Sequence, residues 1–102
     1  MGRVEQLQEF IRANPKDPFP RYALALEHKN NGRLEDASAV FSELMTELPD
    51  YVPAYLHAGN TLVARGLKDE ARFVYRLGID KATLKRDGHA KGELEGALAD
   101  LE

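Results

Sequence analysis

The sequence predicts an all-α protein built from helix–turn–helix pairs, and an internal repeat is the main evidence. Residues 32–37 (GRLEDA) recur as residues 66–71 (GLKDEA), an offset of 34 residues. Further matches at this offset are Pro15 with Pro49, Val40 with Val74 and Phe41 with Tyr75. A repeat of this length, with small, aromatic and proline residues at fixed phases, is typical of a helical solenoid in which each repeat packs against its neighbours.

The composition is that of a globular domain without disulfides. The 102 residues suffice for one domain, and 43% apolar with 30% charged residues is an ordinary balance. The absence of cysteine excludes thiol chemistry and cysteine zinc sites, and it fits a reducing compartment. The apolar runs are too short to span a membrane, and the first residues lack the apolar core of a signal peptide. We therefore expect a single domain over residues 1–102 in the cytoplasm.

Proline, asparagine and glycine mark the ends of the predicted helices. The residue before a proline avoids the helical region, so Asn14-Pro15 ends the first helix, and Pro18 opens the second as a first-turn proline. Asn31-Gly32 is predicted to supply left-handed residues after the second helix, and Asp87-Gly88 to end the fifth. The predicted helices cover residues 4–13, 18–30, 34–48, 53–65, 68–86 and 90–101.

The last of these helices is predicted to be weak. Gly92 and Gly96 each cost a helix roughly 1 kcal/mol relative to alanine, so the segment needs to dock through its apolar residues. Those residues are Leu94, Ala97, Leu98 and Leu101. We interpret the two glycines as tolerated surface positions or as a notch for close packing.

Small residues stand where antiparallel helices would cross. Ala25 and Gly59 lie on the first helix of each pair, and Ala37 and Ala71 lie on the second. This pattern resembles the tetratricopeptide repeat (TPR) family. The resemblance implies an α-solenoid of about six helices in antiparallel pairs. It divides the chain into a degenerate half repeat (4–15), repeat 1 (18–51), repeat 2 (52–85) and a C-terminal capping helix (89–101).

The first repeat departs from the family pattern more than the second does. Arg21 stands where the family usually has a large aromatic or apolar residue, and His28 stands where it usually has an aromatic one, whereas the second repeat has Tyr55 and Leu62 at these positions. Thr83 replaces the last proline of the second repeat, consistent with a helix that continues past that point.

No residue pattern indicates catalysis, a cofactor or a metal. His28, His57 and His89 have no helical pair spacing, and neither a Gly-x-Ser-x-Gly motif nor a glycine-rich phosphate loop is present. We interpret His28 as a packed, hydrogen-bonded side chain and His89 as a solvated connector residue. His57 faces another side of its helix, where partner binding and plain exposure are both open. The sequence thus predicts a protein that is not an enzyme.

The resemblance implies a concave face, formed by the first helix of each pair, on which a peptide or helix of a protein partner docks. The residues that map onto this face are Phe19, Tyr22, Leu26, Lys29, Pro53, Leu56, His57, Asn60 and Val63. One TPR subclass clamps a peptide carboxylate with lysine and asparagine. Asn60 holds one such position, but Tyr22 and Leu26 occupy two others, so the clamp is incomplete.

Two other functions stay open at this point. One is a self-associating scaffold subunit, in which exposed apolar surfaces meet across a two-fold axis. The other is RNA binding, which the formal net charge of −3 and the lack of a basic stripe disfavour. Lys81, Lys85 and Arg86 do cluster, but at a predicted helix C-terminus, where cations favour the helix dipole. We expect a protein partner or a homo-oligomer, and neither nucleic acid nor membrane.

Overall fold

The computed structural model describes residues 2–102, and over that range the chain forms six α-helices joined by short turns. They are α1 (Arg3–Ala13), α2 (Pro18–Asn30), α3 (Leu34–Glu47), α4 (Pro53–Ala64), α5 (Lys68–Leu84) and α6 (Gly88–Ala99). The all-α prediction is confirmed, and each helix begins and ends within two residues of its predicted bounds. Met1, which the predicted domain includes, lies outside the described residues.

Side-chain caps start two of the helices. Asp17 directly precedes Pro18, the first residue of α2, and its carboxylate accepts a hydrogen bond from the backbone N–H of Phe19 at 3.0 Å. The Asp87 carboxylate accepts one from the backbone N–H of Ala90 at 3.0 Å and caps α6. Such caps satisfy amides that have no partner inside the helix. They explain why α2 and α6 begin where they do.

The helix ends correct two details of the sequence prediction. Gly32 and Gly66 adopt left-handed backbone angles, with φ of 77° and 81°. Asn31 does not, because its φ is −91°. α5 ends at Leu84, before the predicted Asp87-Gly88 pair, and the left-handed residue after it is Arg86, with φ of 56°. Glycine adopts this conformation without the steric cost that a side chain brings, so Arg86 is the unexpected residue of the three.

Each helix packs against the next one along the chain, and α4 also contacts α6. Helices joined by short turns run antiparallel, so α3 and α5 run parallel to each other on either side of α4. The helices therefore divide into two layers. One layer consists of α2, α4 and α6, and we call its surface the α2–α4–α6 face. The other contains α3 and α5, and the whole stack measures 42 × 29 × 19 Å.

Two glycines allow the helices of the second repeat to approach closely. A Cβ built on Gly59 would lie 2.2 Å from a ring carbon of Tyr75, which is almost completely buried. A Cβ on Gly78 would lie 2.5 Å from the Cβ of Tyr55 and 3.1 Å from the side chain of Leu94. Neither position has room for a side chain, and the backbone itself forms part of the packing surface.

The predicted small residues at the other helix crossings are also buried. Ala25, Ala37 and Ala71 are each 0% exposed, which confirms that they lie where helices meet. By contrast, a Cβ on Gly92 or Gly96 would have no atom within 4 Å. These two glycines are surface positions of α6, and the alternative of a close-packing notch is wrong.

Arg21 takes the place of an apolar residue by forming a buried polar cluster. It is 6% exposed, and its Nε and Nη2 atoms lie 2.9 and 2.8 Å from the carboxylates of Glu43 and Glu47. Its Nη1 donates to the carbonyl of Pro15. In the second repeat the hydroxyl of Tyr55 donates to the carbonyl of Pro49 at 2.6 Å. Two different side chains thus satisfy the same carbonyl of the repeat.

His28 does not behave as the sequence predicts. Its side chain is half-buried, but within residues 2–102 its buried Nδ1 has no hydrogen-bond partner. The expectation of a hydrogen-bonded histidine is therefore wrong for this atom.

We predict opposite effects for two glycine-to-alanine substitutions. Gly59→Ala should lower the free energy of unfolding by about 1–3 kcal/mol, because the ring of Tyr75 must move. Gly96→Ala should raise it by about 0.5–1 kcal/mol, because its site is open and alanine favours the helix. Urea denaturation followed by circular dichroism measures both changes. A Gly59→Ala variant with the parent's midpoint would contradict the close approach of α4 and α5.

We predict that Arg21 contributes more stability than either of its acidic partners. Arg21→Gln should cost about 1–3 kcal/mol, because it leaves the carbonyl of Pro15 without its donor. Glu43→Gln should cost less than about 1 kcal/mol, because one half-exposed ion pair is lost and Glu47 remains. Thermal and urea unfolding of the two variants would test this order, and equal losses of stability would contradict it.

Candidate interaction surface

The stripe of predicted site residues on α2 lies on one side of that helix. Phe19, Tyr22, Leu26 and Lys29 follow one another at steps of three or four residues, which places them on one helix face. Phe19 is 61% exposed, and the other three are half-buried. An exposed aromatic ring at the start of the stripe therefore leads into a partly covered apolar surface.

The stripe on α4 has the same spacing. Pro53 is exposed, and Leu56, Asn60 and Val63 are half-buried. Leu56 and Val63 pack at the margin of the hydrophobic core, as do Tyr22 and Leu26 on α2. Each of these four side chains thus supports the fold with one side and leaves another accessible.

Tyr22 and His57 join the two stripes. Their rings meet edge to face with centroids 5.4 Å apart, and the ring of Tyr51 lies 5.5 Å from Tyr22 in a similar arrangement. Aromatic rings favour this geometry because the positive edge of one faces the negative face of the other. Of the two readings left open for His57, plain exposure is wrong, because its ring is half-buried in this cluster.

The surroundings of His57 favour its neutral form. Burial lowers the pKa of His57 below its ordinary value of 6.5, and the charge of Lys29 lowers it further. The charge of Glu93 opposes both effects. Lys29 lies on α2 and Glu93 on α6, so the charges that act on this histidine come from the other two helices of the face.

α6 forms a third wall of this surface. A hollow of about 220 Å³ lies between α4 and α6, and its lining includes Pro53, Leu56, His57 and Glu93. His89 also lines it, and the prediction that this residue lies in a connector is wrong because α6 already begins at Gly88. Its exposed ring lies 3.3 Å from the carboxylate of Glu93. The sequence predicts α6 as a capping helix but not its place beside the α4 stripe, because α6 lacks a recognisable repeat pattern.

Asn60 is engaged within the protein. Its Oδ1 accepts a hydrogen bond from the hydroxyl of Tyr75 at 2.6 Å. Burial raises the pKa of Tyr75, so this hydroxyl stays protonated and continues to donate. The amide nitrogen is therefore the part of the Asn60 side chain left to contact a partner.

Two solved structures from Salinibacter ruber are similar to this chain in both architecture and sequence. The crystal structure of a tetratricopeptide repeat domain protein matches with a TM-score of 0.79 at 36% identity, over 83% of this chain and 96% of that one. A solution structure of such a protein matches with a TM-score of 0.82 at 37% identity, over 87% and 90%. The chain belongs to the tetratricopeptide repeat family.

A third match supports the TPR fold alone. The solution structure of a protein from Bordetella parapertussis has a TM-score of 0.82 over 99% of this chain and 88% of that one, at 21% identity. No protein-family profile and no curated protein matches this chain. Membership of the TPR family indicates a protein-interaction module in general terms, and domains of this kind are typically non-catalytic.

Other kinds of site find no support in the described part of this TPR protein. Within residues 2–102, no cluster of three or more acidic or histidine side chains is arranged to hold a metal ion. No helix in the same range is both long and apolar enough to cross a bilayer.

A second surface was missing from the sequence-based prediction. A groove of about 760 Å³ lies between α3 and α5, with part of α4 as its floor, and we call it the α3–α5 groove. Phe73 lines it and is 67% exposed. The 34-residue repeat gives no hint of it, because Ala39 occupies the position in the first repeat that Phe73 occupies in the second.

We predict that His57 makes the stability of the protein depend on pH. The folded state resists protonation of His57, whereas the unfolded chain binds a proton near pH 6.5, so stability should fall as the pH drops below that value. Between about pH 7.5 and about pH 5.5, the melting temperature of the parent should fall more than that of His57→Gln. His89→Gln, which removes an exposed histidine, is the control. Identical pH profiles for the parent and His57→Gln would contradict the prediction.

Proposed function

We propose that this TPR protein is a non-catalytic interaction module that binds a peptide or helix of a protein partner on the α2–α4–α6 face. The proposal also includes a cytoplasmic location and the division of the chain into a half repeat (4–15), repeat 1 (18–51), repeat 2 (52–85) and a capping helix (89–101). The exposure of Phe19 is the observation that carries it, because a large ring left 61% exposed beside an apolar stripe is a candidate anchor for a partner.

The partner's chemistry follows from the side chains along the face. Apolar residues of the partner would pack on Leu26, Leu56 and Val63, which are half-buried and so already ordered. The amide nitrogen of Asn60, held by its bond to Tyr75, would donate to a backbone carbonyl of the partner. Such preorganised contacts lose little conformational entropy on binding.

The charged residues on this face favour one kind of partner sequence. Lys29 closes the stripe on α2, and His57 beside it is neutral at pH 7. We therefore expect the partner to place an acidic residue near Lys29, while Glu93 on the α6 wall disfavours a second one there.

The proposal predicts that Phe19 matters for binding and that an equally exposed phenylalanine elsewhere does not. Peptides selected from a random phage-displayed library against the parent provide the ligands. Phe19→Ala should weaken their binding roughly tenfold or more, as loss of an aromatic anchor does. Phe73→Ala, which removes a ring of similar exposure from the α3–α5 groove, should leave the affinity near that of the parent.

Two further measurements make this test decisive. Circular dichroism and melting temperature should be the same for both variants and the parent, because both rings are mostly exposed. Amide chemical-shift changes caused by a selected peptide should centre on α2 and α4. Shift changes centred on α3 and α5, or equal losses from both variants, would contradict the proposal.

A further inference from the structure

The α3–α5 groove combines an apolar lining with an acidic rim. Phe73, Val74 and Leu62 contribute apolar surface, and the rim carries the carboxylates of Glu35 and Glu70. Both acidic residues lie in first helical turns, and because α3 and α5 run parallel, they lie toward the same end of the groove. A ligand of this groove would need an apolar group with positive charge beside it.

The rim keeps an excess of negative charge. Asp69 also lines the groove, but it pairs with Arg72 at 2.5 Å. Glu35 and Glu70 form no ion pair with any of the described residues 2–102. Arg65 is the one cationic residue among the described residues that line the groove, so a positively charged ligand would be attracted to this end.

A surface with the complementary properties, apolar and positively charged, lies at the opposite end of α5. Leu84, the last residue of that helix, is 79% exposed, and the exposed Lys85 and Arg86 follow it. α5 has 17 residues and α3 has 14. The C-terminal end of α5 therefore extends about one helical turn beyond that of α3. We call Leu84 and Arg86 the α5 tip. Lys85 is left out because it shares a shallow hollow with Glu47 and Asp50.

The backbone at the α5 tip is unusual. Arg86 adopts the left-handed conformation that Gly32 and Gly66 adopt in the two other turns. A side chain in this conformation carries a steric cost that glycine would avoid. An arginine at this position therefore suggests a use for its charge.

We propose that copies of this chain associate head to tail, with the α5 tip of one copy docked in the α3–α5 groove of the next. Leu84 would contact the apolar lining around Phe73, and Arg86 would lie beside Glu35 and Glu70. Leu84 cannot fill the groove of its own copy, because it lies eleven positions after Phe73 on the same rigid helix, a distance of roughly 16 Å.

This association is heterologous, because the two contacting surfaces differ. Each added copy leaves one tip and one groove free, so assembly can continue beyond a dimer. The contact is small, and association should be weak and depend strongly on concentration. The α2–α4–α6 face takes no part in it.

Sedimentation velocity on the full chain tests the proposal, over about 10 μM to about 1 mM protein. The weight-average mass of the parent should rise with concentration past that of a dimer. Phe73→Gln, which removes the groove contact, and Leu84→Gln, which removes the tip contact, should each stay monomeric. An equimolar mixture of the two variants should form a dimer and nothing larger, because it contains one intact groove and one intact tip per pair.

Phe10→Gln is the matched control, because Phe10 on α1 is 57% exposed and belongs to neither surface. It should associate as the parent does, and circular dichroism should show that all variants are folded. Raising the salt concentration from about 0.05 M to about 0.5 M should weaken the association of the parent by screening the charges. A monomeric parent, a single variant that associates like the parent, or a mixture that stays monomeric would overturn the proposal.

Discussion

The contact between the ring of Tyr75 and the backbone of α4 at Gly59 is the constraint on which the rest of the stack depends. Because residue 59 has no side chain, α4 and α5 approach until the ring occupies the space where a Cβ would be. At that separation the hydroxyl of Tyr75 reaches Asn60, an amide on the α2–α4–α6 face. Gly78 allows a second close approach, which brings Tyr55 of α4 and Leu94 of α6 against the backbone of α5. The position of α6, the third wall of the α2–α4–α6 face, thus follows from core packing.

The two repeats meet one requirement with different chemistry. Each has a carbonyl at its proline, Pro15 or Pro49, that a side chain from the following helix must satisfy. Tyr55 does so with one hydroxyl and otherwise packs as an apolar ring, 1% exposed. Arg21 brings a charge into the same position and needs Glu43 and Glu47 beside it, because a buried charge without partners is strongly destabilising. In this chain the position requires both bulk and a donor, and an arginine meets that requirement because α3 supplies carboxylates.

The sequence predicted the features that depend on local signals. Proline and glycine set the helix ends, and small residues at a fixed offset marked the crossings, so Ala37 and Gly59 could be placed in advance. Features that depend on neighbours distant in the chain were missed. Nothing beside His28 in the sequence shows that its Nδ1 lacks a partner. The wall formed by α6 and the α3–α5 groove were missed for the same reason, since each appears only when helices from different repeats are set side by side. Arg86 was missed because the glycine two residues later suggested a different end for α5.

Alternation of helices between the two layers gives this small protein two chemically different surfaces. The α2–α4–α6 face is aromatic and carries Lys29 beside a neutral histidine, whereas the α3–α5 groove is apolar with a carboxylate rim. None of the residues that line the groove lies on α2, so a substitution such as Phe19→Ala leaves the groove intact. The hydrogen bond from Tyr75 to Asn60 is a direct link between the layers, since Tyr75 belongs to α5 and Asn60 to the opposite face. A ligand that drew Asn60 away from Tyr75 would therefore leave the hydroxyl of Tyr75 without its acceptor, and Tyr75 lies on α5, the helix that carries both Phe73 and Leu84.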